Sequence, residues 1–229
     1  MENKILKRAI SLLFAVAVTL LILSFSIAIP VFCRPIYYAH IDALDLPQKS
    51  GFTAEQIRTS YDAVLDYLTK PNKEFSVGDM AYTYMGAEHF REVKTLFTLN
   101  TTVLICSAVC VITIIVLRRS GKIGDLKLGK HTATFYSGSV ILATLASIGI
   151  VAAIDFKSAF ILFHEIFFPN NDYWIFDTST DEIINILPEE FFMNCGIIIA
   201  STAIALSLAF IIFDIIKSRK NQVDFKGEM

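Results

Sequence analysis

Four long apolar segments constrain the fold of this chain more than any other feature of its sequence. A helix needs about 20 consecutive apolar residues to cross the hydrocarbon core of a bilayer, which is about 30 Å thick. The segments long enough are 9–32, 96–117, 132–154 and 196–216. Their uninterrupted apolar character excludes a β-barrel, and helices satisfy their backbone hydrogen bonds within lipid. The sequence therefore predicts an all-α membrane protein, a bundle of four transmembrane helices in a single membrane domain.

The composition agrees with this class. Charged residues make up 18% of the chain, whereas soluble domains usually carry about 25%. The net charge of −2 says little about partners by itself, and we expect no nucleic acid among them.

The first apolar segment begins like a secretory signal peptide, with Lys4, Lys7 and Arg8 ahead of it. Its apolar core is 24 residues long, however, and that of a signal peptide is about 7–15 residues. Cys33 follows it as in a lipoprotein, but Phe32 stands where a lipidation site needs a small residue. We therefore expect a retained membrane anchor.

The distribution of Lys and Arg predicts the orientation. Short loops rich in these residues stay in the cytoplasm, whereas long loops cross largely regardless of charge. The short loop 118–131 holds five of them, and others lie before the first segment and after the fourth. The loop 155–195 holds one against eight acidic residues, and the loop 33–95 holds seven in 63 residues. We predict cytoplasmic termini and two long outer loops that form an extracytoplasmic cap.

Helical patterns recur in the outer loops. Thr53 and Gln56 match a capping box, and apolar residues follow at helical spacing up to Thr69. The pattern is helical again from residue 88 into the second apolar segment. The Phe-rich segment 156–168 is too short to span a membrane and is typical of an interfacial or re-entrant helix.

Two histidines lie near the predicted outer membrane surface. His89 is seven residues before Leu96, about 10 Å from the apolar boundary along a helix. On a helical wheel, His164 falls between Phe160 and Phe168. Aromatic surroundings disfavour an imidazolium, and a neutral imidazole can accept a proton as a general base does. We expect the two rings to face each other; a purely structural role for each is the alternative.

The remaining histidines, the cysteines and a search for known motifs indicate no second catalytic site. His131 is interpreted as solvated beside the basic inner loop, and His40 has no catalytic residues near it in the sequence. The chain contains no P-loop, dinucleotide fingerprint, GxSxG elbow or HExxH motif, so we expect no cofactor and no metal. No charged residue lies deep in an apolar segment, which disfavours transport. A disulfide between Cys33 and Cys195 is left open.

Several segments resemble the signature of one bacterial membrane family. They are 88–94, 163–168, 171–176 and 187–192, with Asp181 between the last two. Together with the four apolar segments, they resemble the lipoprotein intramolecular transacylase family over essentially the whole chain. Glu92 stands where that pattern has Asp, and Thr178 where Pro is common.

The resemblance implies an acyltransferase of the bacterial plasma membrane. Its substrate would be a lipoprotein whose N-terminal Cys carries a thioether-linked diacylglycerol, held among membrane lipids. The sn-2 acyl chain would move to the Cys α-amino group, leaving an N-acyl, S-monoacylglyceryl (lyso-form) lipoprotein. Another lipid or lipoprotein acyltransferase, an esterase, or a non-enzymatic membrane scaffold is the alternative. The oligomeric state is left open.

The resemblance also implies the site residues. His89 and His164 would be the catalytic pair. We expect His89 as base and His164 as acid or oxyanion donor, with the reverse assignment and a covalent acyl-histidine both open. The residues expected to support the pair or bind substrate are Arg91, Lys94, Asn171, Asp172, Trp174, Asp177, Asp181 and Tyr67. Tyr67 has core packing as its alternative role, and Trp174 has anchoring at the membrane interface.

Overall fold

The computed structural model describes residues 4–227, with side chains up to residue 218. Its helices are α1 (Lys4–Phe32), α2 (Arg34–Ala43), α3 (Leu46–Ser50), α4 (Ala54–Thr69), α5 (Tyr84–Arg119), α6 (Ala133–Ile154), α7 (Phe156–Phe167) and α8 (Glu189–Gly227). A 3-10 helix, Glu182–Ile186, precedes α8, and strands β1 (Lys127–Leu128) and β2 (His131–Thr132) form an antiparallel hairpin. Of the basic residues predicted to hold the C-terminal tail inside, Arg219, Lys220 and Lys226 lie outside the described side chains.

Four helices are long and apolar enough to cross a membrane: α1, α5, α6 and the part Glu189–Ser218 of α8. The prediction of an all-α membrane protein with four transmembrane helices is confirmed. Helix α5 begins at Tyr84, well before the apolar segment 96–117 that it contains. His89 therefore lies on a membrane-crossing helix but outside its apolar segment.

The described chain divides into two compact units. The first contains residues 4–26, 102–148 and 199–227, and the second contains residues 27–101 and 149–198. Apolar side chains such as Val18, Ile22 and Ile141 form the core of the first unit. Both predicted outer loops, 33–95 and 155–195, fall within the second unit. Their arrangement as an extracytoplasmic cap stays a prediction.

Helix α4 organises the core of the second unit. The predicted capping box is present: the Thr53 hydroxyl accepts from the Gln56 N–H (3.2 Å), and the Gln56 side chain accepts from the Thr53 N–H (2.9 Å). Tyr61 of α4 stacks on Tyr37 of α2, with ring centroids 3.6 Å apart. The Tyr37 hydroxyl donates to the carbonyl of Ile186 (2.8 Å). The two long loops thus share one hydrophobic core.

Polar contacts hold the first turn of α5 in place. Thr83 caps the helix, because its hydroxyl accepts from the Gly86 N–H (3.0 Å). The buried Asp181 accepts from the N–H (2.8 Å) and the hydroxyl (3.0 Å) of Thr83. Beside it, the Ala81 N–H donates to the Glu182 carboxylate (2.7 Å), and the Glu182 N–H donates to the Ala81 carbonyl (3.0 Å). The start of α5, and with it the first candidate histidine, is therefore joined to the loop before the 3-10 helix.

Candidate active site

His89 of α5 and His164 of α7 lie side by side in the second unit. Their ring centroids are 5.8 Å apart, and the ring planes make an angle of 35°. Only 5% of His89 and 8% of His164 is exposed. The two imidazoles, which are 75 positions apart in the sequence, therefore form one buried pair.

Aromatic rings surround the His89 side of the pair. Phe168 meets the His89 ring edge to face at 4.8 Å, and Phe176 does so at 5.5 Å. Phe168 also lies 5.7 Å from the His164 ring. Phe168 directly follows α7, and its ring contacts both imidazoles.

The His164 ring is held between aromatic neighbours of its own. Trp174 stacks on it with centroids 4.9 Å apart and planes at 29°. Phe160, one turn earlier on α7, lies 4.4 Å away, and Phe163 lies 5.4 Å away. These contacts leave the imidazole little rotational freedom.

Burial in apolar surroundings favours the neutral form of both rings. Burial, together with the neighbouring His164, lowers the pKa of His89 to about 4. Burial also lowers the pKa of His164, with a hydrogen bond to Phe160 acting against it. Both rings are therefore neutral at pH 7 and able to accept a proton.

One hydrogen bond determines the tautomer of His164. Its Nδ1 lies 2.8 Å from the carbonyl oxygen of Phe160. A carbonyl can only accept, so Nδ1 carries the proton, and Nε2 of the neutral ring has a free lone pair. Nδ1 of His89, by contrast, is buried without a hydrogen-bond partner among the described residues.

One predicted supporting residue contacts the pair, and a second binds a neighbour of His89 on α5. Trp174 contacts His164 directly instead of serving only as an anchor at the membrane interface. Asn171 lies in the same loop, and its Nδ2 donates to Oε1 of Glu92 (2.9 Å). Glu92 is three residues beyond His89 on α5, so the two side chains share a face of the helix.

The predicted basic and tyrosine residues have other partners. Arg91 is exposed and forms an ion pair with Glu88 (2.7 Å). Lys94 lies over the ring of Tyr67, with Nζ 4.2 Å from the centroid. Tyr67 packs edge to face on Phe75 at 5.2 Å, so its alternative role in the core describes it better. The structure does not bring these side chains into contact with the imidazoles.

Two of the three predicted carboxylates have partners other than a histidine. Asp177 accepts from the N–H (2.8 Å) and hydroxyl (2.6 Å) of Ser179 and caps a turn. Asp181 is bound to Thr83, and Asp172 is exposed. The oxygens of Asp177 and Asp181 thus bind other donors, and a supporting role for the three acids stays a prediction.

Three residues of the site were missed by sequence reasoning: Phe168 and Phe176 as neighbours of His89, and Glu92. A local signal existed for Glu92, which is three residues after His89, the spacing of neighbours on a helix. The spacing of Phe168 from His164 predicted its contact with that ring but not with His89. Phe168 and Phe176 reach His89 only through the tertiary fold, so the sequence carried no signal for these two contacts.

The other two histidines have structural partners. The interpretation of His131 as merely solvated is wrong: its Nδ1 lies 2.7 Å from Oδ2 of the buried Asp214, which also accepts from the Thr132 N–H (2.8 Å). His40 Nδ1 donates to the Ile36 carbonyl (2.6 Å), and its Nε2 accepts from Asn194 (3.0 Å). Neither ring is available for proton transfer at the His89–His164 pair.

The described cysteines and acidic residues form neither a disulfide nor a metal site. Cys33, Cys106, Cys110 and Cys195 are all free thiols, so Cys33 and Cys195 are not bridged. Among residues 4–218, no three His, Cys, Asp or Glu side chains come together in a way that could hold a metal ion.

Fold and site together define a polytopic membrane protein with a buried, neutral imidazole pair suited to proton transfer. Residues 12–192 match the family model described as lipoprotein intramolecular transacylase Lit. Because this match covers most of the chain, the protein belongs to the lipoprotein intramolecular transacylase Lit family and is an acyltransferase. A search of curated proteins by sequence finds no match.

Solved structures confirm the fold. The in meso structure of the membrane-integral lipoprotein intramolecular transacylase Lit from Bacillus cereus is 24% identical, covers 96% of this chain and 100% of its own, and has a TM-score of 0.85. A variant of that protein with one histidine replaced by arginine is 23% identical over 96% and 95% of the two chains, with a TM-score of 0.77. A variant with a histidine replaced by alanine is 24% identical over 94% and 96%, with a TM-score of 0.75.

Proposed function

We propose that this transacylase moves the sn-2 acyl chain of a diacylglyceryl-Cys lipoprotein to the α-amino group of the same Cys, with His89 and His164 as its catalytic pair. The product is the N-acyl, S-monoacylglyceryl lyso-form lipoprotein. The observation that carries the proposal is the buried pair itself, two neutral rings with centroids 5.8 Å apart.

The chemistry needs few groups from the protein. Conversion of an ester to an amide is downhill, so the reaction requires no energy source. The amine and the ester belong to one molecule, and holding them in reactive geometry can contribute about 7–11 kcal/mol to lowering the barrier. What remains is a base for the amine, an acid for the departing glycerol oxygen and a donor for the oxyanion.

The hydrogen bond of His164 favours one division of roles. Its Nε2 lone pair makes His164 the base that removes a proton from the α-ammonium group. His89, with its proton on Nε2, donates to the oxyanion of the tetrahedral intermediate and helps to protonate the glycerol oxygen as the C–O bond breaks. This reverses the roles expected from the sequence. In becoming an amide, the ammonium group loses two protons. The proton taken by His164 is finally released to water, and the second reaches the glycerol oxygen through His89, so both rings end neutral.

Helix α7 provides access for the acyl chains. Its outward side exposes large apolar side chains next to the pair, namely Leu162, Phe163, Ile166 and Phe167. An amphipathic helix of this kind lies in the membrane interface with its apolar side in the acyl region. The substrate's chains therefore stay in the outer leaflet of the plasma membrane while its Cys reaches the imidazoles, with both termini of the enzyme in the cytoplasm.

Mass spectrometry of lipoprotein N-termini tests the proposal. Lipoproteins from bacteria with and without this protein are compared, and the acyl chain should be on the Cys nitrogen only when the protein is present. Release of free fatty acid with an unmodified amine would indicate an esterase instead. No change in lipoprotein structure would rule out the proposed reaction.

A further inference from the structure

Two buried polar atoms of α5 have no hydrogen-bond partner among the described residues: Nδ1 of His89, which belongs to the imidazole pair, and Oε2 of Glu92. Because the two residues are three apart on α5, their Cβ atoms are about 5–6 Å apart on one face of the helix. Buried polar atoms are nearly always hydrogen-bonded in native proteins, and each exception needs an explanation such as a ligand.

The surroundings of Glu92 show that its free oxygen needs a donor. Its Oε1 already accepts from Nδ2 of Asn171 (2.9 Å). The oxygen of Asn171 accepts from the Tyr173 N–H (3.0 Å), which fixes the amide with its nitrogen toward the carboxylate. An ionised carboxylate only accepts hydrogen bonds, and so does Nδ1 of His89 when Nε2 carries the proton.

A cationic donor complements both atoms. A buried carboxylate oxygen is unfavourable without a donor. Arg91 interacts with the Glu92 carboxylate through its charge, but its side chain donates to Glu88, so Oε2 of Glu92 still lacks a donor. In the proposed substrate, the group that is both cationic and rich in N–H donors is the α-ammonium of the N-terminal Cys, whose pKa in peptides is about 7.7–8.0.

We propose that Glu92 binds the α-ammonium group of the lipoprotein and so selects substrates with a free N-terminus. This inference rests on the proposed function. The three N–H groups of the ammonium are divided between Glu92 Oε2, His89 Nδ1 and His164 Nε2. His164 takes one proton, which is finally released to water, and the neutral amine attacks the ester carbonyl. As the ester C–O bond breaks, a second proton from the amine reaches the glycerol oxygen, giving an amide and an alcohol.

The wild-type enzyme provides the first test. Two inhibitors are compared, both diacylglyceryl-Cys peptides with ether-linked chains that cannot transfer, one with a free α-amine and one N-acetylated. The full-length protein in detergent micelles converts an ester-linked lipopeptide at pH 7, and inhibition is measured. We expect the free-amine compound to inhibit at a roughly 10- to 100-fold lower concentration, the range expected for one hydrogen bond between charged groups.

Variants assign this preference to Glu92. Glu92→Gln keeps the shape and the hydrogen bond from Asn171 but removes the charge. It should raise KM roughly 10- to 100-fold and abolish the preference for the free amine, whereas Glu92→Asp should retain part of both. The matched control is Glu88→Gln, one turn earlier on α5, where Glu88 is paired with the exposed Arg91; it should behave as wild type.

The outcomes separate this inference from the proposed function. Equal inhibition of the wild type by the two compounds overturns amine binding by a charge. A Glu92→Gln enzyme that keeps the wild-type preference, or a Glu88→Gln enzyme that loses it equally, overturns the assignment to Glu92. If Glu92→Gln does not fold, Glu92→Asp and the wild-type comparison decide. Absence of lyso-form product with the wild type contradicts the proposed function instead, and the inhibitors can then be compared by direct binding.

Discussion

Asp181 accepts hydrogen bonds from both the backbone N–H and the hydroxyl of Thr83, 98 positions earlier in the chain. Thr83 in turn caps α5. A buried carboxylate in one loop therefore fixes the start of the helix that carries His89. We therefore propose that Asp181 is a positioning residue, which supports the histidine pair through the start of α5.

Asp181→Ala should destabilise the protein by about 2–3 kcal/mol, because it removes hydrogen bonds to a charged acceptor and leaves the Thr83 N–H unpaired. Activity should fall as well, since the start of α5 loosens. Thermal unfolding in detergent and the lipopeptide assay measure both effects. Asp177→Ala is the control, because Asp177 is exposed and caps only a local turn. Equal stability of the two variants would contradict the role given to Asp181.

Replacement of either paired histidine should remove nearly all activity without unfolding the protein. General acid–base catalysis contributes roughly 10²- to 10⁴-fold, so His89→Gln and His164→Gln should each lower kcat by at least about 100-fold. His131→Gln is the control, because His131 binds Asp214 in the other unit and should leave kcat near that of wild type. Substantial activity in both site variants would disprove the catalytic assignment.

The pH dependence of stability should report the buried His89. Its pKa is lowered from 6.5 to about 4 by burial, so between these values the unfolded chain binds more protons than the folded one. Stability is therefore fully present above pH 6.5 and falls as the pH drops toward 4. Unfolding measured from pH 7 to 4.5 should show this loss, and His89→Gln should reduce it. In NMR spectra of labelled histidine, a His89 signal that titrates near 6.5 would contradict the prediction.

Fluorescence should report the protonation of His164. Trp174 is the only Trp of the chain and stacks on His164, so an imidazolium there should quench its emission. Because burial lowers the pKa of His164, the quenching midpoint should lie below 6.5. His164→Gln should remove this transition, and His40→Gln should not. A midpoint at or above 6.5 would show that the ring is not shielded from water as the structure indicates.

Close packing at Gly86 should make it intolerant of a side chain. A Cβ atom there would lie 2.3 Å from Oδ1 of Asp181 and 3.1 Å from the ring of Phe176. Gly86→Ala should therefore destabilise the protein by about 1–3 kcal/mol. It should also lower activity, because it displaces Asp181, which binds Thr83, and Phe176, which contacts His89. Gly149→Ala, with nothing within 4 Å of the added atom, should be neutral or slightly stabilising. Unfolding midpoints of the two variants provide the measurement.

The fold was predictable from the sequence because its main determinant is local. Apolar length alone predicts the four membrane-crossing helices, and the Thr53–Gln56 capping box needs only its own turn. The proximity of His89 and His164 was also predictable, since the sequence predicts both near the ends of apolar segments on the same side of the membrane. The distance of a residue from the end of its apolar segment can be counted along the sequence, without knowledge of the tertiary structure.

The supporting groups could not be predicted in the same way. Asp177 and Asp181 look alike in the sequence, yet one binds its neighbour Ser179 and the other binds Thr83 across the fold. Which N–H a carboxylate meets depends on the tertiary structure. Lys94 and Tyr67 show the same limit, because they lie against each other instead of at the imidazoles.

The second unit is made from two stretches of chain, 27–101 and 149–198, and this division has a consequence for biosynthesis. A nascent chain that has emerged only as far as its third apolar segment carries His89 but not His164, Trp174 or Asp181. It also lacks Ile186, which the hydroxyl of Tyr37 binds in the finished protein. If the two histidines act as proposed, ester chemistry cannot begin on a partly inserted chain, and a reactive centre forms only after translation has delivered nearly the whole polypeptide.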